Sequence, residues 1–150
     1  MMEHKRVRLT LIILEAFVAL TSIACGVGLM VGAVQLPLVW LAGTPFSDYT
    51  MPGLVMAAIV GGSSFLAAEM TRAGRAGGVV ASALAGLLLM GCEVAEVAMI
   101  DRNLGNWLPF AVGFQAIYST FSLTIFGLAA FLWRTEYHRR HFQTRHISQA

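Results

Sequence analysis

Four long apolar stretches, separated by short polar segments, dominate the hydrophobic pattern of this 150-residue chain. They lie at about 9–34, 52–70, 77–100 and 109–133. A helix takes about 20 residues to cross a hydrocarbon core about 30 Å thick, and each stretch reaches or approaches that length. Such runs differ from the alternating strands, about ten residues long, of a membrane barrel, and a helix satisfies its backbone hydrogen bonds internally. The pattern therefore predicts an all-α, polytopic membrane protein.

Composition and loop lengths extend this prediction to one compact domain. The chain is 57% hydrophobic and only 12% charged, which is more apolar than a soluble domain. It is also too short for two independent domains, and no linker or low-complexity tract interrupts it. Only a few residues, 72–75, separate the second and third stretches, which makes those helices antiparallel neighbours. We expect a single antiparallel four-transmembrane-helix bundle over residues 1–150.

The basic residues are distributed unequally between the two sides of this bundle. Nine of the ten lie before the first stretch, between the second and third, or after the fourth: Lys5, Arg6, Arg8, Arg72, Arg75, Arg134, Arg139, Arg140 and Arg145. Only Arg102 lies on the other side. The positive-inside rule then predicts a multi-pass protein of the cytoplasmic membrane, with both termini and the tail 134–150 cytoplasmic and the loops 35–51 and 101–108 outside.

Two acidic residues near the outer end of the third stretch are the strongest indication of a site. Glu93 and Glu96 lie in an otherwise apolar run, where a carboxylate costs about 2.5 to 3.5 kcal/mol even on lenient scales. At about 1.5 Å per residue they lie at a height similar to that of Ser22, Gln115 and Tyr118, roughly 17 to 27 Å from the inner edge. Three helices thus carry polar groups at one level, which predicts a polar pocket facing outward.

A second polar level lies closer to the inner edge. Glu15 is expected about 9 Å above that edge, where it either pairs with Arg8 or faces the bundle interior as an inner relay. Glu69 lies beside Arg72 near the inner interface, and that ion pair explains it without a function.

Several kinds of chemistry find no support in the sequence. All four histidines, His4, His138, His141 and His146, fall in the predicted cytoplasmic tails, so a bis-histidine haem within the bilayer is not expected. No Cys-x-x-Cys, glycine-rich phosphate loop, His-Glu-x-x-His or nucleophile elbow occurs. The sequence therefore predicts no catalytic residues, no metal ligands and no particular cofactor.

Two resemblances bear on the class of protein. The stretch PFSDYTMPGL, residues 45–54, followed by a glutamate-bearing third helix and a fourth helix with Phe, Gln and Gly, resembles small bacterial four-span membrane proteins that bring no known activity. A glutamate in the first of four short spans is also similar to the small multidrug resistance transporters. The longer chain, the extended outer loop and the Glu93–Glu96 pair depart from that second pattern.

The leading functional hypothesis is a pocket that binds a small ligand, a lipid headgroup or a cation, extending to proton-coupled transport. Its ligand- or proton-binding residues would be Glu93, Glu96, Gln115, Tyr118, Glu15 and Ser22. The alternative is an accessory subunit of a larger membrane complex, and an intramembrane enzyme comes third. The expected partners are the lipid bilayer and, beyond it, a second copy or a membrane-complex subunit. No nucleic acid partner is expected, because membrane topology already accounts for the basic residues.

The charge distribution makes the orientation testable. A reporter that is active only outside the cytoplasm should be silent when fused after Ala150 and active when inserted near Thr44, because the basic residues hold the first of these sites inside. Reporter activity in intact cells measures both fusions. Reversed signals would overturn the predicted orientation together with the outward-facing pocket.

Overall fold

A computed structural model describes residues 2–75, 77–99 and 108–147, with the side chains of 2, 3, 108, 110, 111 and 136–147 excepted. Its helical elements are α1 (Met2–Met30), a 3-10 turn (Leu38–Leu41), α2 (Thr50–Leu54), a π-helical segment (Val55–Gly61), α3 (Gly62–Arg72), α4 (Gly78–Met99) and α5 (Leu108–Ile147). The segments α2, π-helix and α3 follow one another without a break and form one long helix.

Four of the described helices are long and apolar enough to cross a membrane, which confirms the predicted all-α, four-span class. The spans are His4–Met30, Thr50–Arg72, Gly78–Met99 and Val112–Thr135, and we refer to them as spans 1 to 4. Large apolar side chains remain exposed on every span, among them Leu20, Phe65, Leu84 and Leu123. In lipid such side chains face their own solvent, so this is a multi-pass membrane protein.

The spans pack in an antiparallel arrangement that closes on itself. Span 1 lies along span 2, α3 lies along α4, α4 lies along α5, and α1 also contacts α5. Gly74, whose φ is +66°, makes the tight turn between spans 2 and 3. The rings of His4 and Phe131, 6.3 Å apart, bring the start of span 1 to the end of span 4. The opposite end of the bundle carries the loop that joins spans 1 and 2.

Two helix ends differ from the stretches that the hydrophobic pattern marks. Helix α1 ends at Met30, and a positive φ of 72° at Gly32 turns the chain before the apolar residues that follow. Helix α5 instead continues through much of the expected tail, to Ile147. Residues 134–147 contain neither glycine nor proline, so nothing in the sequence stops the helix where the apolar residues end.

Glycines allow the backbones of spans 1 and 2 to approach closely. A Cβ on Gly26 would overlap the carbonyl oxygen of Gly53 and lie 2.7 Å from the backbone nitrogen of Ala57. A Cβ on Gly61 would lie 2.5 Å from the Ile23 side chain. Four-residue spacing marks Gly28 on this helix and Gly32 beyond its end, but the tightest contact involves Gly26, because spacing does not show which face packs.

Substitution at Gly26 tests this packing. Gly26→Ala should lower the free energy of unfolding by about 1 to 3 kcal/mol, because the added methyl group meets backbone atoms that cannot move independently. Thermal unfolding in detergent is the measurement. Gly91→Ala on α4 is the matched control, since a Cβ there would meet nothing within 4 Å. Equal unfolding temperatures for the two variants would show that spans 1 and 2 do not pack through Gly26.

Candidate functional site

A pocket of about 300 Å³ opens at the end of the bundle that carries the loop between spans 1 and 2. Its walls come from all four spans and from that loop. Most of the lining is apolar, and the polar groups in it are few. This combination of apolar walls with a small number of polar groups is typical of small-molecule sites.

One wall of the pocket is a face of α4. Cys92, Glu93, Glu96 and Met99 follow one another at intervals of one, three and three residues, which keeps them on one side of the helix. Glu93 is half-buried and Glu96 is exposed. Two carboxyl groups one turn apart therefore provide the acidic chemistry of an otherwise apolar cavity.

The opposite side of the pocket is formed by the loop and the start of span 2. Phe46 and Tyr49 come from the loop, whereas Val55, Met56 and Val60 belong to the π-helical segment. A π-helical turn is wider than an α-helical one and frequently marks a functional site. Here the widened part of span 2 is the part that lines the cavity.

Local hydrogen bonds hold the loop over the pocket. The Tyr49 hydroxyl donates to the Pro37 carbonyl oxygen at 2.9 Å, and the Thr44 hydroxyl donates to the Leu41 carbonyl oxygen at 2.8 Å. Partial burial raises the pKa of the Tyr49 hydroxyl above its ordinary value. Asp48 accepts a 2.8 Å bond from the Thr50 backbone N–H, which lowers the pKa of that carboxyl and fixes the start of span 2.

The floor of the pocket combines an aromatic group with a buried hydroxyl. Tyr118 of α5 reaches the cavity between Phe114 and Phe121, with ring centroids 6.4 and 6.1 Å from its own. Ser22 of α1 is fully buried, and its hydroxyl oxygen has no hydrogen-bond partner among the described residues. The floor thus ends in a polar atom whose bonding capacity is unused.

The six residues that the sequence singles out fall into three groups. Ser22, Glu93, Glu96 and Tyr118 line the pocket together. Gln115 lies one turn from Tyr118 on α5, half-buried, but it is not part of the lining. Glu15 lies about two turns from Ser22 along α1, away from the pocket, and is completely buried. Neither Glu15 carboxyl oxygen has a hydrogen-bond partner among the described residues, and the side chain faces the bundle interior, the second of the two positions expected for it.

Two loop aromatics, Phe46 and Tyr49, line the pocket without having been proposed as site residues. The sequence signals them through a cluster of aromatic and turn-forming residues in the outer loop. Hydropathy alone does not show that this loop folds inward over the spans.

Metal and disulfide chemistry receive no support from the described part of the chain. No three His, Cys, Asp or Glu residues come together there in a way that could hold a metal ion. Cys25 and Cys92 are both free thiols. The candidate site is therefore a binding cavity with two carboxyl groups, an aromatic floor and an aromatic roof.

Comparison of the chain with protein families, curated proteins and solved structures finds no match. The two resemblances described above therefore remain expectations. The functional proposal is based on the residues that line the pocket.

The hydroxyl of Tyr49 offers a direct test of how the roof is held. Tyr49→Phe removes the bond to Pro37 but keeps the ring, so amide hydrogen exchange in the loop should rise about fivefold, the equivalent of a bond worth about 1 kcal/mol. Exchange within α4 is the internal control and should not change. Unaltered exchange in residues 38–46 would show that the Tyr49 hydroxyl does not hold the loop.

Proposed function

We propose that this protein binds a small amphipathic cation in the pocket at the loop-bearing end of the bundle. The observation that carries the proposal is the presence of Glu93 and Glu96 on one wall of a mostly apolar cavity. Carboxyl groups favour a positively charged or hydrogen-bond-donating headgroup, and the apolar walls favour a hydrocarbon portion. Phe46, Tyr49 and Tyr118 add aromatic faces, which attract cations as well.

The size of the cavity limits the ligand. About 300 Å³ is the lower end of the range for small-molecule pockets, so a headgroup with a short chain fits and a complete phospholipid does not. Since few polar groups line the walls, a strongly hydrated ion would lose more water contacts than the pocket replaces. A small amphiphile satisfies both restrictions.

The side from which the ligand arrives follows from the basic residues. Their distribution supports a cytoplasmic membrane protein whose loop-bearing end faces outward. The other half of the bundle is packed with fully buried Leu11, Val18, Ile125 and Leu132, and the lining of the pocket includes none of them. Ligand binding is therefore the activity that we assign, and transport would require this packed half to rearrange.

The experiment compares two amphiphiles of opposite charge. Octyltrimethylammonium and octyl sulfate share a chain, so a difference in affinity for the protein in lipid nanodiscs isolates the effect of the headgroup. We expect the cation to bind and the sulfate to bind at least about tenfold more weakly, a difference of about 1.4 kcal/mol. Calorimetric titration measures both affinities.

Variants connect that affinity to the pocket. The double change Glu93→Gln with Glu96→Gln keeps the shape of both side chains and should weaken cation binding about tenfold, or about 1.4 kcal/mol. Glu69→Gln is the matched control, because Glu69 lies outside the pocket and bonds Arg72 at 2.7 Å. Equal binding of the two amphiphiles, or unchanged binding by the double variant, would refute the proposal. Stability only in a complex with another membrane protein would favour the accessory-subunit hypothesis.

A further inference from the structure

A second polar group lies outside the pocket, in the middle of span 1. Glu15 has no exposed surface, although it is a carboxylic acid in the core of a membrane bundle. Helix α1 packs against α3 on this face, and the Ser82 hydroxyl of α4 faces the carboxyl group. Glu15 is thus enclosed between three helices.

The groups around Glu15 leave its bonding capacity unused. Neither carboxyl oxygen has a partner at hydrogen-bond distance and angle among the residues that the structure describes. The Ser82 hydroxyl is already engaged, because it donates to the Gly78 carbonyl oxygen at 3.0 Å and lies 3.2 Å from the Thr71 hydroxyl. An unsatisfied buried polar group destabilises the folded state, so a carboxyl group in this state requires an explanation.

No positively charged side chain in the described part of the chain pairs with Glu15. Among the described residues, burial and the Ser82 hydroxyl are the influences on the Glu15 carboxyl. The other charged side chains of the helices around Glu15 lie elsewhere. On α1, Arg8 makes no hydrogen bond to Glu15, and on α3 Glu69 and Arg72 pair with each other at the surface. Glu93 and Glu96 of α4 line the pocket, and Arg134 of α5 is exposed. Burying an uncompensated charge costs much more than burying a neutral acid. The surroundings therefore fit a carboxyl group that holds a proton.

Further unpartnered hydroxyls lie between Glu15 and the pocket. Ser22 is about two turns, roughly 10 Å, along α1 from Glu15, and it lines the pocket floor. On the facing helix, Gly61 packs between Ala19 and Ile23. Ser64 lies about one turn further along that helix, which runs antiparallel to α1. Its height is therefore between those of Ser22 and Glu15. Ser22 and Ser64 are both fully buried, and neither hydroxyl has a partner among the described residues.

We propose that Glu15 is a proton-binding site, separate from the ligand pocket, which exchanges its proton with the pocket through water held at Ser64 and Ser22. The proton adds to one carboxyl oxygen, and the same O–H bond breaks when the proton passes to water. Buried water typically occupies positions next to unsatisfied polar atoms such as these. The proposal goes beyond the ligand site and does not depend on which molecule binds there.

A proton explains the site better than a metal cation. Hard cations require several oxygen ligands at once, whereas the one described side chain that acts on the Glu15 carboxyl is Ser82, whose hydroxyl is already bonded. A proton needs a single oxygen atom. The distinction can be tested, because a bound sodium ion and a bound proton compete for the same carboxyl group.

Infrared spectroscopy of the protein in lipid is the main test. A protonated carboxyl group has a C=O stretching band that a carboxylate lacks, and Glu15→Gln identifies the part of that band that belongs to Glu15. We expect this part to be present in mildly acidic buffer, to disappear as the pH rises, and to remain in the control Glu69→Gln. A Glu15 band that is absent at every pH, or that never changes while the protein stays folded, would overturn the proposal.

Labelling of the unaltered protein keeps the proposal testable if Glu15→Gln does not fold. A hydrophobic carbodiimide reacts with protonated carboxyl groups in apolar surroundings, so peptide mapping should find Glu15 modified, less so at higher pH, and Glu69 unmodified. Added sodium chloride at constant pH should not protect Glu15. Specific protection by sodium, or no modification at any pH, would refute proton binding at this site.

The route to the pocket is tested by exchange into deuterated water. Ser22→Val replaces the hydroxyl with an apolar group, so the shift of the Glu15 band on deuteration should become at least about tenfold slower. Ser63→Val is the control, since the Ser63 hydroxyl is already bonded to the Val60 carbonyl oxygen. An unchanged rate in Ser22→Val would refute this route. All three measurements are made without a pocket ligand, so they fail or succeed independently of the proposed cation binding.

Discussion

The close contact between spans 1 and 2 at Gly26 and Gly53 is the constraint on which the rest of the structure depends. Lipid removes the hydrophobic drive that brings helices together in water, so contact between backbones has to replace it. This contact lies one turn from the end of α1 and at the start of span 2. It therefore sets where the connecting loop begins and ends, and the loop in turn carries Phe46 and Tyr49 over the pocket. The π-helical segment begins two residues after Gly53, so the widened backbone that lines the cavity starts directly from this contact.

The polar side chains of the bundle divide into two kinds according to their hydrogen bonds. Ser122 bonds the Gly86 carbonyl oxygen at 2.8 Å, and Ser82 bonds that of Gly78, where the helix backbones are also close. The Ser122 bond joins α5 to α4, the Ser82 bond lies within α4, and both hydroxyls are satisfied as donors. Glu15, Ser22 and Ser64 are equally buried but lack such bonds. Since the same fold satisfies the first group, its failure to satisfy the second is better explained by function than by poor packing.

The sequence predicted the depth of residues along the spans better than their direction around them. Hydropathy located four spans, and a constant rise per residue placed Ser22, Glu93 and Tyr118 at one height, where the structure brings them together. Depth does not determine rotation about the helix axis, which is why Gln115 was expected in the lining and Gly26 was not expected at the closest contact. The inward position of Phe46 and the isolation of Glu15 both depend on contacts between distant segments, and no local pattern encodes these.

Ser22 gives the two proposed sites a physical connection. Its hydroxyl lies at the pocket floor, and on the same helix Glu15 lies about two turns further into the bundle. A ligand that fills the floor would displace water from Ser22 and so interrupt the path by which Glu15 exchanges its proton. By linkage, any difference in ligand affinity between the protonated and deprotonated states of Glu15 must appear as an equal effect of the ligand on proton binding. A ligand that only blocks the path would alter the rate of proton exchange but not the affinity of Glu15 for its proton. Thermodynamic coupling between the two sites therefore requires the packed residues between them, Val18 among them, to rearrange.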